Sequence, residues 1–139
     1  MSSNLPDGIN TSPSYNEGMG CEAIVAEELR KAGFVIVCQN FRLGQKETDI
    51  IALEDGVLCF IEVKARSNPG YLRDLDQLIP KTKRNDMVSI AAYFSKANRA
   101  LGFKEIRFDF ALLRIPRPGE EPHVTYYRNA FIPGANGHF

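Results

Sequence analysis

The chain has 139 residues, enough for one domain with a sizeable core, and its 44% hydrophobic content is ordinary for a globular protein. Lys and Arg number 17 against 17 Asp and Glu, so the net charge is zero, and bulk charge argues against a strongly electrostatic nucleic-acid binder. No apolar run approaches the length of a membrane span, and residues 1–14 lack both the basic and the apolar part of a secretory signal.

Residues 1–15 read as a polar, flexible lead-in, residues 16–131 as a single domain and residues 132–139 as a Gly-rich tail. A helix is expected over 16–32, with Gly33 as its stop. Val25, Ala26 and Leu29 form its apolar stripe, and Glu22 falls on that same stripe by helical spacing. Buried unpaired charge is expensive, so Glu22 is either a rim residue paired with an Arg or part of a polar site. Residues 34–41, rich in Val, Ile and Phe, read as a first strand.

Two further β-rich runs, 47–54 and 57–64, flank Asp55-Gly56, the two-residue hairpin signal of a turn that needs positive φ at both central positions. That turn sets Leu53 opposite Leu58, Ile51 opposite Phe60, Asp49 opposite Glu62 and Glu47 opposite Lys64. A one-residue slip would destroy the agreement of apolar partners. Directly opposed residues have Cβ atoms about 5 Å apart. Two carboxylates at about 5 Å, with an effective dielectric near 20, repel by roughly 3 kcal/mol. A hairpin holding that repulsion calls for compensation, and a divalent cation supplies it. The alternative is plain solvation of both acids, with Glu47 and Lys64 as a cross-strand ion pair.

In the third strand one face, Val57, Cys59, Ile61 and Val63, is wholly apolar, while the other passes from Leu58 and Phe60 to Glu62 and Lys64. Such a strand is buried on both sides until its end, where one side opens onto polar chemistry. After a loop at 67–70, a second helix is expected from Pro80 to about residue 100, with Met87, Ile90, Ala91, Phe94 and Leu101 at helical spacing and Gly102 as its end. Strands at 104–115 and 123–128 complete an α-β-β-β-α-β-β order.

Charge is sorted along the chain: residues 1–60 hold four basic against nine acidic residues, and residues 61–104 hold nine basic against four acidic. A metal site beside a phosphate-binding surface has that pattern, and Lys81, Lys83 and Arg84 at the start of the second helix are its candidate phosphate contacts. Oxygen donors suit Mg2+ or Mn2+ rather than zinc. His123 and His138 lie late in the chain, and Cys21, Cys38 and Cys59 lack the close spacing of a zinc site. Unpaired thiols within apolar runs read as small hydrophobes in a cytoplasmic protein. Lys64 projects from the same face as Glu62 and is placed to orient a water or to offset charge on a transition state.

The blocks Glu22, Asn40-Phe-Arg42, Glu47-Thr-Asp49, Phe60-Ile-Glu-Val-Lys64, Arg107-Phe-Asp109 and Asn129-Ala-Phe131, in this order, resemble the uncharacterised YraN-like family over about residues 16–131. That family is assigned to the restriction-endonuclease-like, PD-(D/E)XK nuclease fold and is similar in core motifs to archaeal Holliday-junction resolvases. The resemblance implies an α/β fold with an α-β-β-β-α-β core and a central mixed sheet flanked by helices. It also implies that Asp49, Glu62 and Glu22 ligate Mg2+ or Mn2+ and that Lys64 assists the nucleophile. The implied activity is metal-dependent phosphodiester hydrolysis of DNA, on branched or damaged structures. A non-catalytic nucleic-acid-binding or scaffold module on the same fold is the alternative, and homodimer formation is left open. The family pattern has Gly where this chain has Cys21, and Gly-Glu-Ile-Asp where it reads Lys46-Glu-Thr-Asp49.

Overall fold

Asp55 and Gly56 take φ of 50° and 80°, the positive values that a tight hairpin turn requires of both central residues. They join β2 (Lys46–Glu54) to β3 (Val57–Arg66) in a computed structural model that describes residues 20–67, 78–115 and 117–134. The expected register holds, with Leu53 opposite Leu58, Ile51 opposite Phe60 and Ile50 opposite Ile61. On one side β1 (Val35–Leu43) runs antiparallel to β2, with a bulge between Ile36 and Cys38. On the other, β4 (Glu105–Arg114) lies parallel to β3, and β5 (His123–Tyr127) closes that edge antiparallel to β4. The sheet is mixed, in the order β1-β2-β3-β4-β5, with α1 (Cys21–Lys31) and α2 (Lys81–Ala97) beside it. This is an α/β fold with the expected α-β-β-β-α-β core followed by a short fifth strand.

The helices cover opposite faces, and strand alternation decides which residue meets which helix. Ile51, Leu58, Phe60, Phe108 and Phe110 form one core with Met87, Ile90, Ala91 and Phe94 of α2. Ile50, Ala52, Cys59, Ile61, Val63, Ala111 and Leu113 form the other with Ile24, Val25, Ala26 and Leu29 of α1. Central β3 is buried without a break from Leu58 to Val63, which explains its continuous apolar run and places Glu62 in the interior.

Element ends follow local chemistry. Helix α1 begins at Cys21 rather than near residue 16, because Gly20 is extended at φ −72°, ψ 162° and serves as the N-cap; residues 16–19 lie outside the described ones. It ends at Gly33, φ 100°, where the Phe34 amide reaches Leu29 O at 2.9 Å and the Gly33 amide reaches Arg30 O at 3.0 Å. That pair of bonds is the left-handed glycine stop, and Phe34 and Leu29 bury together as it requires. Helix α2 is shorter than expected: Asn98 caps Phe94 O with its side-chain amide at 2.9 Å, and a 3-10 turn, Arg99–Leu101, leads to Gly102 at φ 73°. No helix among the described residues is long and apolar enough to cross a membrane.

Candidate functional site

The β2–β3 ladder is regular from Glu54–Val57 to Ile50–Ile61. One step further, the Val63 amide donates to Asp49 Oδ2 at 2.8 Å, a side chain serving where a strand carbonyl would serve in a continuing ladder. On the β1 side Asp49 falls between the pairs Gln39–Ile50 and Phe41–Thr48, opposite Asn40, whose φ is 53°. Asn tolerates that left-handed conformation better than most residues. Asp49 thus sits one step beyond the last regular β2–β3 pair and opposite a left-handed residue of β1, and its carboxylate meets the Val63 amide.

Glu62 is next to it on the α2 face, 3% exposed. Burial raises its pKa first and the charge of Asp49 second; the nearby Lys83 and Lys64 pull the other way without prevailing, and the carboxyl is pushed up to about 7. Lys64 Nζ lies 3.4 Å from Glu62 Oε2, and Lys83 Nζ lies 3.4 Å from Oε1. Lys83 also donates to the backbone carbonyl of Glu47 at 2.5 Å. Despite the ammonium nearby, Glu62 Oε1 has no aligned hydrogen-bond donor among the described residues. The cluster is two neighbouring carboxylates, two lysines, and one buried oxygen without an aligned donor among the described residues.

Four of the residues singled out in the sequence change meaning here. Glu22 does not join the pair: α1 covers the opposite sheet face, and Glu22 Oε1 folds back to 3.3 Å from where a side chain at Gly20 would begin. Among the described residues no three His, Cys, Asp or Glu side chains converge to hold a metal. Glu47 pairs with Arg42 across β1–β2 at 3.7 Å while Lys64 turns to Glu62, so the expected alternative of a Glu47–Lys64 pair gives way. Lys83 is a partly buried member of the acid cluster, held by Glu62 and the Glu47 carbonyl. Its signal was in the sequence: Lys83, Met87, Ile90, Ala91 and Phe94 share one helical stripe, so the lysine stem lies on the sheet-facing side of α2. Lys81 remains exposed and Arg84 partly buried at the same end of α2. Residues 68–77, including the rest of the loop after β3, lie outside the described ones.

The departures at Cys21 and Lys46 are accommodated. Neither position has positive φ, so neither needs glycine for its backbone. Thr48, where the resembled pattern has Ile, is fully buried and its hydroxyl has no partner among the described residues.

A second polar cluster occupies the other sheet face towards the hairpin turn. Asp109, 0% exposed, accepts from Arg107 Nε at 2.8 Å, Tyr126 OH at 2.6 Å and the Asn129 amide at 3.0 Å. Arg107 Nη2 reaches Glu54 Oε1 at 2.7 Å, and Arg128 closes the network on Glu54 while its guanidinium lies 5.5 Å from the Tyr126 ring centre and 5.7 Å from that of Phe34. The hydrogen bond from Arg128 holds Glu54 down to about 2, aided by Arg107 and against the effect of burial. Burial first, and Asp109 second, push the Tyr126 phenol up. Blocks 107–109 and 129–131 of the sequence therefore tie β5 and the segment after it to the sheet. Elsewhere, a cleft of about 300 Å³ lined by Ser95, Lys96, Arg99 and Phe103 lies at the far end of α2 from the acid pair.

The fold and site define a small α/β protein whose paired carboxylates sit at the open end of a central hairpin. A family model described as uncharacterised protein family UPF0102 matches residues 21–113, and the chain belongs to that family. Similar relatives include a UPF0102 protein of Koribacter versatilis, 36% identical over 106 residues, which covers 75% of this chain and 71% of the relative. One of Dictyoglomus turgidum is 34% identical over 110 residues, covering 79% and 92%, and one of Treponema pallidum strain Nichols is 33% identical over 122 residues, covering 86% and 96%.

Proposed function

We propose that this protein is a divalent-metal-dependent nuclease that hydrolyses phosphodiester bonds in DNA, with branched or damaged structures as its substrate class. The observation that supports the reading is the Asp49–Glu62 pair, two neighbouring carboxylates of which one is buried with an oxygen that has no aligned hydrogen-bond donor among the described residues. Two oxygen donors suffice for Mg2+ or Mn2+, because such ions take one or two carboxylates and complete their shell with water and substrate phosphate. Asp49 and Glu62 would hold the ion, whose contribution when bound is to polarise the phosphoryl oxygens and to lower the pKa of water.

The chain's own residues supply the rest. The Val63 amide fixes Asp49 by its hydrogen bond to Oδ2. Lys64, half-exposed and on the same face as Glu62, orients the attacking water or meets the charge that develops on the phosphate. Lys81 and Arg84, beside the pair at the start of α2, are the proposed phosphate contacts. The cytoplasm, where thiols stay reduced, is the proposed location, in keeping with three free cysteines.

A panel of linear, flapped and four-way DNA incubated with Mn2+ tests the proposal. Cleavage is expected, falling on the order of 10²–10³ in rate in Lys64→Ala with metal affinity retained. Glu62→Gln should lose most Mn2+ affinity in calorimetry. The second reading, a nucleic-acid-binding module without catalysis, is favoured by the absence of a third converging carboxylate among the described residues. Binding of DNA with metal but cleavage of none of the panel would replace the first reading by the second.

A further inference from the structure

Lys83 enters the acid pair from outside the hairpin. Its ammonium is 3.4 Å from Glu62 Oε1 and donates to the Glu47 carbonyl, so α2 pins a positive charge between the start of β2 and the middle of β3. Lys64 holds the other oxygen, Oε2, at 3.4 Å. The two lysines differ in freedom: the Lys83 side chain is 23% exposed against 36% for Lys64, and Lys83 has a second anchor on the Glu47 carbonyl. The Lys83 contact leaves Oε1 without an aligned donor among the described residues, so the ammonium neutralises the oxygen without satisfying it.

A divalent ion binds carboxylate oxygen at about 2.0–2.1 Å for Mg2+, well inside the distance that the Lys83 ammonium keeps. An ion on Oε1 would therefore stand within a few ångströms of that ammonium, and like charges that close in a poorly solvated site are strongly unfavourable. The two compete for the same oxygen. Resting on the metal-site reading above, we infer that Lys83 is an internal counter-ion that occupies the Asp49–Glu62 site until a divalent cation displaces it. Release from Glu62 and from the Glu47 carbonyl frees a flexible four-carbon stem beside Lys81 and Arg84. The displaced ammonium then adds to the phosphate-facing charge of that helix end. Metal entry and phosphate affinity are coupled through one side chain, a positioning role.

Mn2+ titration of the full chain, by calorimetry and by the magnetic-resonance signal of free Mn2+, tests this on wild type, Lys83→Met, Lys83→Gln and Lys83→Arg, with thermal melts of each. Both uncharged variants should bind Mn2+ at least about tenfold more tightly than wild type, as removal of a competing charge predicts. Lys83→Arg, which keeps the charge, should stay close to wild type. Two uncharged replacements guard against one of them failing to fold. Equal or weaker Mn2+ binding in Lys83→Met and Lys83→Gln, with wild type binding measurably, overturns the counter-ion role and leaves the metal site standing. An arginine variant that behaves like the uncharged ones overturns it too. No Mn2+ binding by any form at millimolar concentration overturns both the role and the metal site.

Discussion

Asp109 and Glu62 are both carboxylates buried in strands of one sheet, yet their surroundings treat charge in opposite ways. Asp109 is met by a guanidinium, a phenol and a backbone amide in aligned hydrogen bonds. Glu62 is met by a second carboxylate and by two ammonium groups, Lys64 on Oε2 and Lys83 on Oε1, and Oε1 has no aligned donor among the described residues. A fully partnered buried acid organises structure; a partly partnered one keeps coordination capacity in reserve. The contrast teaches that burial by itself does not set a carboxylate's role: the groups that meet its oxygens do.

The largest effect should come from breaking the satisfied cluster. Asp109→Ala leaves Arg107, Tyr126 and the Asn129 amide without their shared acceptor, and urea unfolding should show a loss of about 3–5 kcal/mol. A loss below about 1 kcal/mol would mean that the network is ornamental to stability.

Glu62→Gln should move stability the other way. The native carboxyl, raised from 4.5 to about 7, binds its proton more tightly than the unfolded chain does. Its contribution is fully present below the unfolded value and is lost as pH rises through about 7, a cost of up to about 3 kcal/mol. Melts of wild type should fall across that window. The Gln variant should lack this slope and match or exceed wild type above it; an identical pH slope in the two proteins would contradict the assignment.

Glu54 supplies the mirror case, because its carboxyl is held from 4.5 down to about 2. Its stabilisation is present above the ordinary value and disappears as pH falls towards about 2. Glu54→Gln should therefore be less stable than wild type at neutral pH and should converge with it in strong acid. Persistence of the difference at the acid end would point to lost contacts rather than lost charge. The smallest effect is expected at Thr48, where Thr48→Val removes a buried hydroxyl without a partner among the described residues. A gain of about 1 kcal/mol in thermal or urea unfolding is expected, and a loss would reveal that the hydroxyl is satisfied in solution.

Much of the fold was legible from local chemistry. Asp55-Gly56 dictated a turn, the turn dictated a register, and apolar matching of Ile51 with Phe60 and Leu53 with Leu58 protected it. Strand alternation puts Asp49 and Glu62 on one face. The helix stripe correctly buried Val25, Ala26 and Leu29, but the same stripe misled for Glu22. Helical spacing says which residues share a side of a helix, not which face of the sheet that helix will cover. α1 packs on the face away from Glu62, and the Glu22 carboxylate lies back towards Gly20.

Lys83 shows the converse. Its sequence neighbours, Lys81 and Arg84, made it look like one cation of a basic patch, and its stripe mates Met87 and Ile90 carried the better signal. Sequence alone determined the hairpin and its register from Glu54–Val57 to Ile50–Ile61, because turn conformation and strand period act over a few residues and need no knowledge of the rest of the chain. Only the tertiary structure decided the face taken by each helix, the end of the ladder at Asp49 and the lysine that crosses from α2 to Glu62. Those depend on how two cores share one sheet, and the free energy that selects the arrangement is spread over contacts between residues far apart in the chain.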